Sequence, residues 1–301
     1  MIIHPGFIKT GTTSLQQFLF GAHPQLHAFG HPHQSPLDTR LSGALRAIDG
    51  FGDEPQVLGA AVADAVAAWP VGRVPLLSDE TLTADPRLAA ATARRLHRHF
   101  PQARILFTLR RQEDLIRSFY GRHGRVLGDA PAPYTNRHVS FAAWLEHASR
   151  QAPAGVLGMA DFARTIELYR GLFGTERISI VLLEEWMADP DAFARRLSAI
   201  LGVDAGTTRR LLGDRRTHGQ ERARMVGYDR FGKRFPMVAR LATRLPRGVR
   251  GVAGAFLRRG ATQRVEWPTG WRERLRERYA PGNRELVERY GLPLREHGYA
   301  L

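Results

Sequence analysis

The sequence predicts an α/β fold: a parallel β-sheet of four to five strands flanked by helices, with a helical C-terminal part. Three observations predict it. Short apolar runs alternate with stretches of helical spacing, the pattern of strands covered on both faces by crossover helices. The first apolar run ends in a turn rich in glycine and threonine that opens a helix. The 301 residues are enough to bury a large core, and there is no cysteine to supply disulfide staples.

Taken in order, residues 2–7 read as a buried strand, and residues 12–20 as a helix with Leu15, Phe18 and Leu19 on one face. Residues 23–40, rich in His, Pro and Gly, read as a long loop. An alanine-rich helix is predicted over 55–69, a short strand over 74–77, an amphipathic helix over 85–99 and a buried strand over 104–109. Residues 112–122 read as helix, 128–137 as loop, 141–150 and 161–173 as helices, and 177–183 as the fourth strand. Asp189-Pro190 and Gly202 bracket a further helix with a start and a stop signal. Beyond Ala205 the pattern is helices and basic loops. The chain therefore reads as one domain, with an α/β core over 1–204 and a helical part over 205–301.

Charge is the strongest bulk signal. Lys and Arg number 44 against 29 Asp and Glu, a formal charge of +15. Such a field attracts anions of every size. The arginines are spread widely, however, and no aromatic residues interleave with them to form a stacking platform, so a local phosphate site is favoured over a nucleic-acid surface. The absence of cysteine excludes thiolate metal sites and cysteine nucleophiles and fits a reducing compartment. No stretch approaches the ~20 apolar residues of a bilayer span, and the opening residues lack a basic n-region, so a cytoplasmic protein is expected. Residues 240–259 are basic with apolar residues between, a pattern that suits either a solvated helix pair or peripheral contact with an anionic membrane.

Two segments carry chemistry. In Gly6-Phe7-Ile8-Lys9-Thr10-Gly11-Thr12-Thr13-Ser14, a strand leads through two glycines into a helix. Backbone N–H groups and the helix start then point at an anion, with Lys9 and the hydroxyls of Thr10, Thr12, Thr13 and Ser14 as further donors. Gly6 and Gly11 have the separation of a nucleoside-triphosphate loop, yet Thr12 stands where that loop has its lysine, and no obvious magnesium carboxylate accompanies it. The second segment is Arg110 to Tyr120. Arg110 falls at the carboxyl end of a strand, and Ser118 follows about two helical turns later, so the pair can hold one phosphate.

Together these segments resemble the PAPS-dependent sulfotransferases in their bacterial form, PAPS being 3′-phosphoadenosine 5′-phosphosulfate. Residues 9–16, Lys-Thr-Gly-Thr-Thr-Ser-Leu-Gln, are similar to that family's 5′-phosphosulfate loop, and Arg110 with Ser118 to its 3′-phosphate element. Many members have proline two residues after the arginine, where this chain has Gln112. Leu183-Glu184-Glu185-Trp186, Asp189-Pro190 and Leu201-Gly202-Val203 resemble a structural segment of the family, and residues 279–286 the entry to its terminal helix. Arg258-Arg259-Gly260 is similar to the start of a third nucleotide loop, but Glu266-Trp267 comes too late to complete it.

The resemblance implies a P-loop-NTPase-like sulfotransferase fold. It implies a sulfuryl transfer from PAPS to a hydroxyl or amine, leaving a 3′,5′-bisphosphate nucleotide, with no metal required. Lys9, Thr10, Gly11, Thr12, Thr13 and Ser14 would hold the phosphosulfate, Arg110 and Ser118 the 3′-phosphate, and Lys9 would be catalytic. The general base is Glu80 or, in reserve, His31 or His33. Glu80 reads equally as part of a cap formed by Ser78 or Asp79. His23, His27, His31 and His33 lie on a Pro-rich stretch with no carboxylate or thiol, which suits acceptor contact better than a metal. The acceptor class (glycan, lipid or small metabolite) and the oligomeric state stay open. A kinase acting on a small hydroxyl compound and a non-catalytic module binding anionic polymer are the rival readings.

Overall fold

The computed structural model describes residues 1–30, 36–47, 55–124, 139–213 and 265–301. Its sheet has five parallel strands, β1 (Ile2–His4), β2 (Leu26–Gly30), β3 (Val74–Ser78), β4 (Arg104–Leu109) and β5 (Ile178–Leu182), in the order β2-β3-β1-β4-β5. Register is continuous: Ile2 stands beside Leu76 and Arg104, and Ile105 beside Ile178.

The strands are short and apolar because both faces are covered. On one face Ile2, Leu76, Leu106 and Val181 join Leu15, Leu19, Trp186, Phe193 and Leu197 in a core cluster. Phe7, from the turn after β1, lies 4.7 Å from Phe162 and 5.5 Å from Phe107, and Phe107 meets Tyr169 edge-on at 5.3 Å, so the helix Phe162–Phe173 contributes a second apolar layer.

The bracketed helix forms as predicted. Asp189 accepts from the N–H groups of Asp191 and Ala192, Pro190 opens the helix, and Gly202 ends it with φ 73°. Three predictions are corrected. The first strand ends at His4, not residue 7, because Pro5 has no N–H for a ladder and Gly6 turns left-handed at φ 55°. Residues 23–40 are not one loop: they hold β2 and the start of the helix Pro36–Leu45. β2 pairs on one side only and is half-exposed in its middle, so it has little apolar signal. Finally, residues 279–286 lie inside the helix Trp271–Tyr290 and are not its entry. Pro281 removes one helical N–H without ending the helix, and Gly282 allows close approach, since a Cβ there would stand 2.8 Å from that of Ala163.

Contacts divide the chain into two compact units. One comprises Met1–Leu115, Gln151–Thr217 and Arg274–Leu301; the other comprises Ile116–Arg150 and His218–Glu273. The first holds the sheet. In the second, Tyr120, Phe141, Trp144 and Trp267 pack ring on ring, with the Arg117 guanidinium 5.6 Å from the Trp267 ring. No described helix is long and apolar enough to cross a membrane.

Candidate functional site

The strand order puts β1 between β3 and β4, so the chain's course reverses across the β1–β4 pair. In open parallel sheets the crevice beyond such a reversal is where ligands bind. The turn after β1 and the turn after β4 meet there.

The first turn winds left-handed three times, at Gly6 (φ 55°), Lys9 (φ 72°) and Gly11 (φ 92°). Lys9 is the one non-glycine residue with positive φ among the described residues. That conformation costs about 1–2 kcal/mol for a residue with a Cβ. Gly11 has no substitute, because a Cβ there would sit 2.9 Å from the Leu183 Cδ1 atom as well as in a left-handed backbone. The helical stretch then opens with no side-chain cap. Among the described residues, the N–H groups of Gly11, Thr12 and Thr13 have no hydrogen-bond acceptor. Three uncapped donors beside a lysine in a strained conformation have the chemistry to receive anionic oxygens.

Across the crevice stands Arg110, the residue after β4. One guanidinium N–H donates to the Lys9 carbonyl at 3.2 Å. Among the described residues the group has no other acceptor and no carboxylate within ion-pair distance. Burial holds its pKa below the ordinary arginine value, opposed by the more distant charges of Asp114 and Glu184. Its neighbour differs: Arg111 is paired with Asp114, Nε to Oδ2 at 2.8 Å. Of two adjacent arginines, one is neutralised and the other presents most of its five donors beside the phosphate-loop geometry.

A buried hydrogen-bond chain underlies the loop, and sequence reasoning missed it. Gln16 donates to Glu80 Oε2 at 2.7 Å and to Ser78 Oγ at 3.1 Å. Ser78 Oγ lies 2.8 Å from His4 Nδ1, and His4 Nε2 lies 3.3 Å from Thr108 Oγ1. Thr108 Oγ1 is 2.9 Å from Thr10 Oγ1, which donates to the Phe7 carbonyl at 2.7 Å. Counting hydrogens fixes the sense of the chain. Thr10 uses its one hydrogen on the carbonyl, so Thr108 donates to Thr10. His4 therefore donates from Nε2 and accepts Ser78's hydrogen at Nδ1, as a neutral imidazole does. Burial agrees, pushing the His4 pKa down to about 3. The Thr10 hydroxyl thus donates within the loop, to the Phe7 carbonyl.

The same burial gives folding a pH dependence. A histidine with an unfolded pKa near 6.5 and a folded pKa of about 3 contributes fully above pH 6.5 and progressively less below it. Stability should fall by about 1.4 kcal/mol per pH unit well below 6.5 and above the folded value. His27 and His99 are lowered by burial too, but are partly exposed and add smaller amounts of the same sign. Urea denaturation at pH 7 and pH 5 checks this, and His4→Gln, which cannot titrate, should flatten the difference.

Glu80 is 9% exposed and opens a short turn, Glu80–Thr83, after β3. Asp79 is the cap, accepting from the Thr81 N–H at 2.9 Å, which leaves the Glu80 carboxylate directed to Gln16. The Thr83 hydroxyl donates to the Gly6 carbonyl and fastens this turn to the loop. Thr12 and Ser14 are buried in the first helical turn and Thr13 is half-buried. Ser118 lies near the end of the helix Gln112–Phe119, within the second unit. His23 is buried against the backbone of Gln25 and Asp204, and His27 lies on β2 beside Phe29, so neither joins the strand-end cluster. His31, His33, the loop over 128–137, Arg258-Arg259-Gly260 and the basic stretch over 240–259 lie outside the described residues.

Gln112, where the resemblance expects proline, has a structural reason. Its amide donates to Asn283 Oδ1 at 2.7 Å and accepts from Asn283 Nδ2 at 3.3 Å, tying the turn after β4 to the helix Trp271–Tyr290.

Among solved structures, a sulfotransferase from Alicyclobacillus acidocaldarius matches with a TM-score of 0.50 and 20% sequence identity, over 68% of this chain and 81% of that one. The chain has the sulfotransferase fold. Mouse sulfotransferase SULT7A1, crystallised with PAP, matches with a TM-score of 0.42 and 14% identity, over 70% of this chain and 63% of that one. Neither a family model nor a curated protein sequence matches the chain. Within the sulfotransferase fold, the lysine-bearing turn and Arg110 occupy neighbouring strand ends.

Proposed function

We propose that this protein is a sulfotransferase that moves the sulfuryl group of PAPS to a hydroxyl or amine of an acceptor. The observation that carries this reading is Arg110, a cation with no paired counter-ion among the described residues, hydrogen-bonded to the Lys9 carbonyl of an uncapped anion cradle. Two anion-binding elements on adjacent strand ends suit a nucleotide with phosphates at both 3′ and 5′ positions. The donors are cationic or N–H groups, a set that binds phosphate oxygens directly and does not hold a cation.

In this reading Lys9 and the N–H groups of Gly11, Thr12 and Thr13 bind the 5′-phosphosulfate, with the Thr12, Thr13 and Ser14 hydroxyls nearby. Arg110 binds the 3′-phosphate, and the sequence pattern offers Ser118 as its hydroxyl partner. As the sulfur–oxygen bond to the 5′-phosphate breaks, negative charge grows on the leaving oxygens. Lys9 stabilises that charge, and positioning with electrostatics supplies most of the rate. The acceptor oxygen or nitrogen forms the new bond to sulfur, and its proton passes to Glu80. The reaction is read as metal-free and, from the cysteine-free composition, as cytoplasmic.

Calorimetry with adenosine 3′,5′-bisphosphate tests the nucleotide. Arg110→Ala should weaken that binding by at least about tenfold and leave adenosine 5′-monophosphate little changed. Equal affinity of wild type and variant for the bisphosphate would overturn the assignment. Transfer of label from radiolabelled PAPS into a fractionated extract then identifies the acceptor class.

A further inference from the structure

Glu184 is the second residue of the helix Leu183–Ala188 after β5, in the segment that the sequence marks only as structural. Both its carboxylate oxygens are engaged. Oε1 accepts the Arg111 backbone N–H at 2.9 Å, and Oε2 accepts the Tyr299 hydroxyl at 2.9 Å. Tyr299 is 5% exposed, and its place is fixed from both sides: the Ala300 carbonyl accepts from Asn283 at 2.8 Å, and a Cβ at Gly298 would stand 2.9 Å from Arg111 Nη1. Glu184 is near enough to act on the charge of Arg110, as is Tyr299, yet neither is a hydrogen-bond partner of the guanidinium.

That combination calls for an explanation. A carboxylate beside an arginine that lacks an ion-pair partner ordinarily closes on it, in a fork of two parallel hydrogen bonds. Here the phenol and the backbone N–H hold the carboxylate in another direction. We propose that Tyr299 and Glu184 are positioning residues for the arginine site: the tyrosine hydroxyl restrains the Glu184 carboxylate so that the Arg110 guanidinium stays open to a phosphate. The proposal rests on the assignment of Arg110 to the 3′-phosphate.

Opposite signs distinguish this role from packing. In Tyr299→Phe, Glu184 Oε2 loses its donor and can turn to Arg110, competing with the ligand. Affinity for adenosine 3′,5′-bisphosphate should fall on the order of tenfold, while that for adenosine 5′-monophosphate changes little. In Glu184→Gln the competing charge is gone, and bisphosphate affinity should be equal to or above that of wild type. The double variant Glu184→Gln/Tyr299→Phe should recover what Tyr299→Phe loses, because without the carboxylate there is nothing to restrain.

The experiment is calorimetry of the full chain and its three variants with both nucleotides, alongside thermal melting. If all three variants lose affinity for both nucleotides in step with a lower melting temperature, the contacts are packing alone and the proposal fails. It also fails if Tyr299→Phe keeps the wild-type preference for the bisphosphate, or if the double variant binds no better than Tyr299→Phe. A wild-type protein with no preference for the bisphosphate gives a different pattern and removes the Arg110 assignment itself, and this proposal with it.

Discussion

Lys9→Ala should lower turnover by about 10²–10³-fold, the usual cost of removing one stabiliser of transition-state charge. The lysine stands at φ 72° between two left-handed glycines, so the chain accepts strain to present this side chain at the end of β1. Strain at a functional position gives a second variant with diagnostic value. Glycine adopts that backbone readily, so Lys9→Gly should be no less stable than wild type, and more stable by up to about 1 kcal/mol. Its turnover should nevertheless fall as far as that of Lys9→Ala. Steady-state rates with PAPS at saturation and urea denaturation of both variants provide the check. Turnover that survives in either folded variant removes Lys9 from the mechanism.

The second large effect is expected at Glu80. Glu80→Gln keeps an acceptor oxygen for the Gln16 amide, which now donates to Glu80 at 2.7 Å, and so preserves the local packing. What it loses is a site for the acceptor's proton. Turnover should drop by about 10²–10⁴-fold, the range of general-base contributions, with nucleotide affinity unchanged. A Glu80→Gln enzyme that keeps its rate would assign the base elsewhere, and His31 and His33 would be the next positions to replace.

Local order was legible in the sequence, and long-range assembly was not. The glycine, lysine and threonine turn lies within nine residues, and its chemistry follows from where it stands between a strand and a helix. The Asp189-Pro190 start and the Gly202 stop act through neighbouring backbone groups, so they too could be read directly. β2 was hidden because an edge strand of Leu-His-Ala-Phe-Gly is covered on one side and needs few apolar residues. Which of Arg110 and Arg111 is available depends on Asp114 and on a carbonyl 101 residues earlier in the chain. The same holds for His4. Its partners Ser78 and Thr108 come from two other strands, and only the strand order brings all three together.

The hydrogen-bond chain beneath the loop has a fixed polarity, and this limits how the sequence can drift. Losing Ser78's hydroxyl strands a lone pair on an imidazole that water does not reach; losing Thr108's breaks the run on its other side. Each single change leaves a buried group unsatisfied, at about 1–3 kcal/mol. Replacing the imidazole and both hydroxyls together by aliphatic side chains removes the requirement at all three positions and leaves only the Gln16 N–H that Ser78 accepts to be satisfied elsewhere. Relatives should therefore carry these three positions as a set, all polar or all apolar, with mixed versions rare.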